Sequence, residues 1–259
     1  MQKDTLTRHE LLPRRLGNFA ALSQAEAAAL RRLGAGPHRT IGARQDLARE
    51  GEPPRVAFLI LSGWASRYKM LEDGRRQTLA FLLPGDLCDI NSDIVGERDH
   101  SIGAVSPVTC VEIGHDRLDA VMAEHPRLGR AFWWQLLTSL SMQREWTLNL
   151  GQRSAIERLS HLFCELFLRL RAVGLCDRTS CDMPITQVDL SEATGLTSVH
   201  VNRTLQEMRA RNLIVLRGRR LEIPDLERLE RIALYNRAYL HLDGVQAAPA
   251  ARLSSASLT

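Results

Sequence analysis

No run of about 18 apolar residues occurs anywhere in this 259-residue chain, so no segment is long enough to cross a membrane as a helix. The opening stretch, MQKDTLTRHELLPRR, carries charge where a secretory leader needs an apolar core, and a cytoplasmic protein is expected. Cysteine is scarce and odd in number: Cys88, Cys110, Cys164, Cys176 and Cys181, with none before position 88. That excludes a disulfide framework. Cys164 falls on an apolar helical stripe and reads as core. Cys176 and Cys181 share the loop GLCDRTSCDM and are the pair placed to respond to oxidation, although free cysteine more often serves as an inert small hydrophobe. Also missing are a nucleophile elbow, a Walker loop, zinc-ligand spacing and paired carboxylates. His161 and Cys164 lie one helical turn apart, but their apolar neighbours favour core packing. No catalysis, metal or cofactor is expected.

What is present is a soluble, globular composition, 44% hydrophobic and 25% charged, in a chain long enough for two domains. The most informative stretch is ITQVDLSEATGLTSVHVNRTLQEMRARNLI, residues 185–214. Thr186-x-x-Asp189 is a capping-box pattern that opens a short helix with Val188, Leu190 and Ala193 on its buried side and Gly195 at its end. Thr197 caps a second helix whose apolar positions, Val201, Leu205 and Met208, form one inward stripe. Val199, Asn202, Arg203 and Gln206 form the opposite stripe. Its amides and guanidinium are the groups that pair bidentately with adenine and guanine edges in a major groove. From Ser198 to Arg220, Arg203, Arg209, Arg211, Arg217, Arg219 and Arg220 stand against Glu207 alone, which fits phosphate neutralisation; the formal net charge of +4 says less.

Around this motif the chain divides into regions. Residues up to about 34 read as helical, with Leu22, Ala25, Ala28, Ala29 and Leu30 in an alanine-rich amphipathic run. From about 36 to 114, short strands such as VAFLIL (56–61) and TLAFLL (78–83) alternate with turns at GEPP, EDG and PGD, the pattern of a sandwich or jelly roll. Asp116 opens a short helical turn. Pro126 then begins a long helix running to Gly151. In it Leu128, Phe132, Leu136, Leu140, Gln143, Thr147 and Leu150 recur at coiled-coil spacing, while Trp133, Trp134 and Trp146 widen the apolar surface. Ser154-x-x-Glu157 recaps a new helix after a break at Gly151-Gln152-Arg153, with Ile156, Leu159, Phe163, Leu166, Phe167 and Leu170 facing a core. LIVLRGRRLEI reads as a hairpin about a Gly218-Arg219 turn, with Arg217, Arg219 and Arg220 at its tip. Pro224-Asp225 opens a last helix, LERLERIALYNRAYL, and a polar tail follows that is expected to be disordered.

In this order the elements resemble the Crp/Fnr family of bacterial transcription regulators over roughly residues 15–225, most strongly in LSEATGLTSVHVNRTLQEM and then in PGD at 84–86 and the long helix with its recapped successor. The resemblance implies an α+β fold: an N-terminal β jelly-roll, cyclic-nucleotide-binding-like sensor domain (15–125), a long dimerisation helix (126–152), a C-terminal winged helix-turn-helix (153–241) and a tail (242–259). It implies a homodimer with Phe132, Leu136, Leu140, Gln143, Thr147 and Leu150 in its seam, an inverted-repeat operator on double-stranded DNA, and RNA polymerase as a partner. The residues expected against DNA are Thr186, Thr197, Ser198, Val199, His200, Asn202, Arg203, Gln206, Arg217, Arg219 and Arg220. Alignment puts Arg203 on the family's guanine-reading arginine, and Ser198 and Val199 on contacting positions just before it. Many members carry Glu where Val199 stands. Val can touch a thymine methyl but cannot accept from cytosine, so a different half-site is expected. His200 reads either as a phosphate contact or as packing against the turn.

The sensor domain departs further. Nucleotide binders of the family follow the PGD-type turn with Gly-Glu and, about ten residues on, Arg-Ser or Arg-Thr. Here those positions are Asp89-Ile90 and His100-Ser101: a carboxylate where a phosphate docks, an aliphatic for the ribose acceptor, and an imidazole for the guanidinium. Arg98 substitutes if the alignment is shifted by two. Gln143 and Arg144 stand where small hydroxyl residues meet the purine. No productive cyclic-AMP binding is expected, and the effector is not specified. The N-terminal cysteine cluster of the family's iron–sulfur oxygen sensors is missing. Haem would need an axial ligand such as His38, His100 or His115, each of which is more simply structural. The expectation is a regulator that is not cyclic-AMP-responsive; the alternative is a small-molecule-binding signalling module with a vestigial DNA-binding head.

Overall fold

Ser23 and Glu26 exchange hydrogen bonds as a capping box and start a helix at Gln24–Gly34 (α2), which pairs with Leu11–Gly17 (α1). These two helices are the N-terminal part of the computed structural model, which describes residues 8–90 and 92–242. The tail read as disordered lies, from residue 243 on, outside the described residues. Eight strands follow: β1 (His38–Ile41), β2 (Asp46–Ala48), β3 (Val56–Ser62), β4 (Ala65–Met70), β5 (Arg76–Leu82), β6 (Leu87–Cys88), β7 (Ser101–Ala104) and β8 (Val108–Gly114). They form two four-stranded antiparallel sheets, ordered β1-β8-β3-β6 and β2-β7-β4-β5, which is the expected jelly roll. Strand β3 reads as an unbroken apolar run because both its faces are covered. Phe58 and Ile60 meet the facing sheet, whereas Ala57, Leu59 and Leu61 meet a helical layer that includes Leu16, Leu30 and Phe132.

The turn opened near Asp116 is a ten-residue helix, α3 (His115–Glu124). The long helix α4 (Pro126–Gln152) has Pro at its first turn, where the missing N–H costs nothing, and runs roughly 40 Å. It ends at Arg153 in extended backbone, and Ser154 and Glu157 recap α5 (Ala155–Ala172) as expected. The inward face of α4 is Leu128, Ala131, Phe132, Gln135, Thr138, Met142, Trp146 and Asn149. Phe132, at 2% exposure, thus belongs to the core of this chain and not to an exposed seam as expected. Gln143 also faces home, donating to the Leu79 carbonyl at 2.7 Å. The outward apolar stripe is Trp133, Leu136, Leu137, Leu140, Leu148 and Leu150. The helix has two apolar faces, and spacing alone does not say which one a neighbouring sheet will claim.

The C-terminal domain comprises α5, β9 (Ser180–Asp182), α6 (Gln187–Thr194), α7 (Ser198–Ala210), β10 (Val215–Arg217), β11 (Arg220–Glu222) and α8 (Leu226–Ala233). Strand β9 lies in the segment read as a loop, and it completes a three-stranded sheet ordered β10-β11-β9. The helix expected to run through LERLERIALYNRAYL stops at Ala233. Leu234 turns left-handed at φ +50°, and Arg237–Leu240 forms a separate 3-10 turn. No helix among the described residues is long and apolar enough to cross a membrane.

Candidate nucleic-acid interface and effector pocket

Helices α6 and α7 form the expected helix-turn-helix. Thr186 caps α6 by accepting from the Asp189 amide at 3.3 Å, while the Asp189 carboxylate accepts the Thr186 amide at 2.6 Å and hydroxyl at 2.7 Å. Gly195 ends α6 at φ +65°, a conformation that favours glycine. Thr197 caps α7 by accepting from the His200 amide. Val201, Leu205 and Met208 are fully buried, each worth about 1.5–3 kcal/mol of burial, which fixes the rotation of α7. Ser198, Val199, Asn202, Arg203 and Gln206 accordingly face outward, with Val199 at 81% exposure; His200 is half-buried. Asn202 donates to the Gln187 side chain at 3.2 Å, joining the first turn of α6 to the polar ridge. Val188, expected on the buried side of α6, is instead 51% exposed; Leu190 and Ala193 alone of the three are core.

The wing has its Gly-first turn, with Gly218 at φ +59° and Arg217 opposite Arg220. Arg217 and Arg219 are exposed and make no ion pair among the described residues. Arg220 differs from the reading of it as a backbone contact. Its guanidinium is held within the domain by Asp177, by Asp182 at 3.2 Å and by the Ser180 hydroxyl at 2.7 Å, pinning β9 to β11. Arg211 is likewise paired with Glu207. Cys181 is buried on β9 facing Cys176, and its hydrogen bond together with burial pushes the Cys176 thiol up, away from thiolate.

In the sensor domain the expected substitutions come together. Asp89 is buried with φ +61°, and its carboxylate pairs with Arg98 and with Arg67 at 3.3 Å, with His100 Nε2 lying 3.4 Å away. Arg98 is buried as well, donates to the Val56 carbonyl at 3.1 Å and lies over the Phe58 ring; burial pulls its guanidinium down from the ordinary arginine value. Burial, with Arg67 adding to it, also lowers the His100 imidazole, so that ring is neutral at pH 7. A guanidinium, Arg98, thus stands beside Asp89 and is engaged by its carboxylate. Ser101 accepts the Glu50 amide at 3.0 Å. Ile90 packs against the helical layer, and Arg144 is exposed without a partner among the described residues. His115 Nε2 is engaged by the Pro54 carbonyl, and the His38 ring lies 6.3 Å from that of His9, tilted to it. No group of three His, Cys, Asp or Glu side chains able to hold a metal ion occurs among the described residues.

Sequence reasoning missed the polar groups that join the two domains. Asp86, in the PGD turn, is buried between Arg15 of α1 at 2.9 Å and Arg169 of α5 at 2.7 Å. Burial works to raise its carboxyl, but the two guanidiniums outweigh it and hold it below the usual carboxylate range. Arg169 continues to Glu165 at 3.3 Å, a fully buried carboxylate that also accepts from Trp146 Nε1 and the Tyr239 hydroxyl and that burial pushes up. On the outer side, Arg44 of the β1–β2 turn pairs with Asp189 at 2.7 Å and Arg76 of β5 with Glu192 at 3.3 Å, so the sensor sheet grips α6. These partners are too far apart in sequence for local pattern to pair them.

Comparisons with known proteins agree with this architecture. The family model for a cyclic nucleotide-binding domain matches residues 38–125, and that for a Crp-like helix-turn-helix domain matches residues 157–232. The nitrogen fixation regulation protein FixK of Azorhizobium caulinodans is 30% identical over 177 residues, 68% of this chain and 70% of that protein. FixK of Bradyrhizobium diazoefficiens is 28% identical over 215 residues, covering 83% and 88%. The transcriptional activator protein FnrL of Cereibacter sphaeroides is 26% identical over 201 residues, covering 74% and 78%. Among solved structures, FixK2 from Bradyrhizobium japonicum superposes with a TM-score of 0.69 over 76% of this chain and 97% of its own, at 23% identity. The alternative of a signalling module with a vestigial head gives way, as does any enzymatic reading. With its sensor jelly roll, long helix and exposed reading ridge, the chain belongs to the Crp/Fnr family of DNA-binding transcription regulators.

Proposed function

We propose that the protein works as a cytoplasmic homodimer that reads an inverted-repeat operator and acts on RNA polymerase there, without cyclic AMP as its signal. The observation that carries dimerisation is the outward stripe of α4, where Trp133, Leu136, Leu137, Leu140 and Leu148 are all exposed on one helix. Exposed apolar side chains in a continuous row mark an interaction surface. A second copy pairing along α4 satisfies it, with Thr147 and Leu150 at its far end. Two copies of α7 then sit about one DNA turn, or 34 Å, apart. Arg203, Asn202, Gln206 and Val199 read base edges, with Thr186, Thr197, Ser198, His200, Arg217 and Arg219 along the backbone. Activation fits better than repression, because FnrL and other relatives are named transcriptional activators.

Independence from cyclic AMP rests on Asp89, whose carboxylate occupies the guanidinium a cyclic phosphate requires. Three experiments decide. Selection of bound fragments from random DNA should return a symmetric consensus, and an asymmetric one, or none, overturns the dimeric reader. Arg203→Ala should cost about 1–3 kcal/mol on that site and relax the choice at one base pair. Calorimetry with cyclic AMP should show no heat of binding; micromolar affinity contradicts the role given to Asp89.

A further inference from the structure

The chain beyond α8 does something the matched domains do not cover. After Leu234 it reverses and lays residues 235–242 back over the junction between the two halves of the molecule. The Tyr239 hydroxyl donates to Glu165 Oε2 of α5 at 2.9 Å, and the Tyr235 hydroxyl lies 3.1 Å from that of Tyr239. The Tyr239 ring stacks on His161 of α5, 5.7 Å between centroids and 12° from parallel, and Tyr235 closes the same imidazole from another side at 4.8 Å. Leu240 is 1% exposed, wedged between Met142 of α4 and Leu168 of α5. His241 meets the edge of Trp134, further back along α4. At the near end, Arg153 in the helix break donates to the Leu234 carbonyl at 3.4 Å while pairing with Glu145 at 3.1 Å. Chain ends are usually loose unless something ties them down; this segment is tied on both sides of the break.

We infer that residues 235–242 are a strap that sets the operator's half-site spacing, by locking the winged-helix domain to the long helix across the Arg153–Ser154 break. The inference rests on the dimeric reading above. In a dimer, α4 fixes the axis of symmetry, and the reach of each α7 from that axis depends on the α4–α5 angle. The covalent link at Arg153–Ser154 is extended backbone, braced across the break by Arg158 on the Leu150 carbonyl at 3.0 Å and by Trp146 Nε1 on Glu165 at 3.1 Å. The strap adds a further connection, made of a buried leucine, stacked rings and a hydroxyl on a buried carboxylate, which together stiffen the angle. A stiff joint binds both half-sites at one spacing and loses the second contact at any other. A soft joint gives up some affinity and tolerates more spacings.

The test compares binding to the selected operator and to versions with one or two base pairs added or removed between half-sites. The proteins are the full chain, a chain lacking residues 243–259, a chain lacking residues 235–259, and the full-length Tyr239→Phe/Leu240→Ala double variant. The first two should lose about 10²-fold or more on each altered spacer, the loss expected when one head cannot reach. The strap-deleted chain and the double variant should lose less than about tenfold. Undiminished spacer discrimination in the double variant overturns the strap, whether or not the shorter chain folds. A full chain that finds no symmetric site at all overturns the dimeric reading instead.

Discussion

Arg169 of α5 donates to the Asp86 carboxylate at 2.7 Å and to the Phe81 carbonyl at 3.0 Å, so a DNA-domain helix is anchored to both a turn and a strand of the sensor domain. Asp86 is shared with Arg15, which brings α1 into the same buried group. Three elements thus converge on one carboxylate. The path continues through Glu165 to Trp146 of α4.

Removing that carboxylate leaves two buried guanidiniums facing each other. Asp86→Ala should therefore destabilise the fold by about 3–5 kcal/mol, the cost typical of stranding a buried charge. The urea midpoint of the variant against the parent measures it. A change below about 1 kcal/mol would mean that the arginines find other partners or water.

His161 supplies a pH dependence. Burial, followed by Arg153, presses its imidazole down to about 3, even with Glu145 Oε2 3.4 Å from Nε2. The unfolded chain takes up a proton near pH 6.5 and the folded one does not. As pH falls below 6.5 the unfolded state therefore gains, and stability declines by up to about 1.4 kcal/mol per pH unit from this residue. Between pH 6.5 and 5, above the titration of ordinary carboxylates, His161→Phe should flatten the fall. Parallel profiles for the two proteins would show that the ring is protonated in the folded state.

The wing arginines separate by their partners. Arg217→Ala and Arg219→Ala should each lower the salt dependence of operator binding by about one ion per subunit. Arg220→Ala should leave that slope unchanged and loosen the β9–β11 edge, because its guanidinium is already occupied by Asp177 and Asp182. Equal slopes for all three variants would refute the distinction.

For the outward stripe of α4, Leu136→Asp with Leu140→Asp places charge twice in each half of the proposed seam. The dimer dissociation constant should rise by at least about 10²-fold. Sedimentation equilibrium reads this directly. Phe132→Leu, by contrast, should lower thermal stability without changing the association state.

Much of this was legible because the signals were local. Capping boxes at Ser154–Glu157 and Thr186–Asp189, the left-handed glycine at 195 and the Gly218 turn each involve residues a few positions apart, and each formed as expected. The reading ridge of α7 followed from its apolar back. Long-range choices were not legible. Strand β9 exists because β11 offers it an edge, and nothing in GLCDRTSCDM announces that. Leu234 interrupts a helical pattern that periodicity would continue, because turning there lets two tyrosines and a leucine reach a buried cleft. On α4 the ambiguity was physical: Phe132 and Trp133 are both large and apolar, and only the sheet alongside decides between them.

Asp89 carries one consequence further. Its φ of +61° is a conformation that glycine adopts with less strain than aspartate, and Arg98 already waits beside it. Asp89→Gly should free that guanidinium and raise the affinity for cyclic AMP or inorganic phosphate above the parent's, as calorimetry on both proteins would read. On the proposed reading, one carboxylate does the work of a bound anion, and the arginine beside it is the group whose freedom the substitution tests.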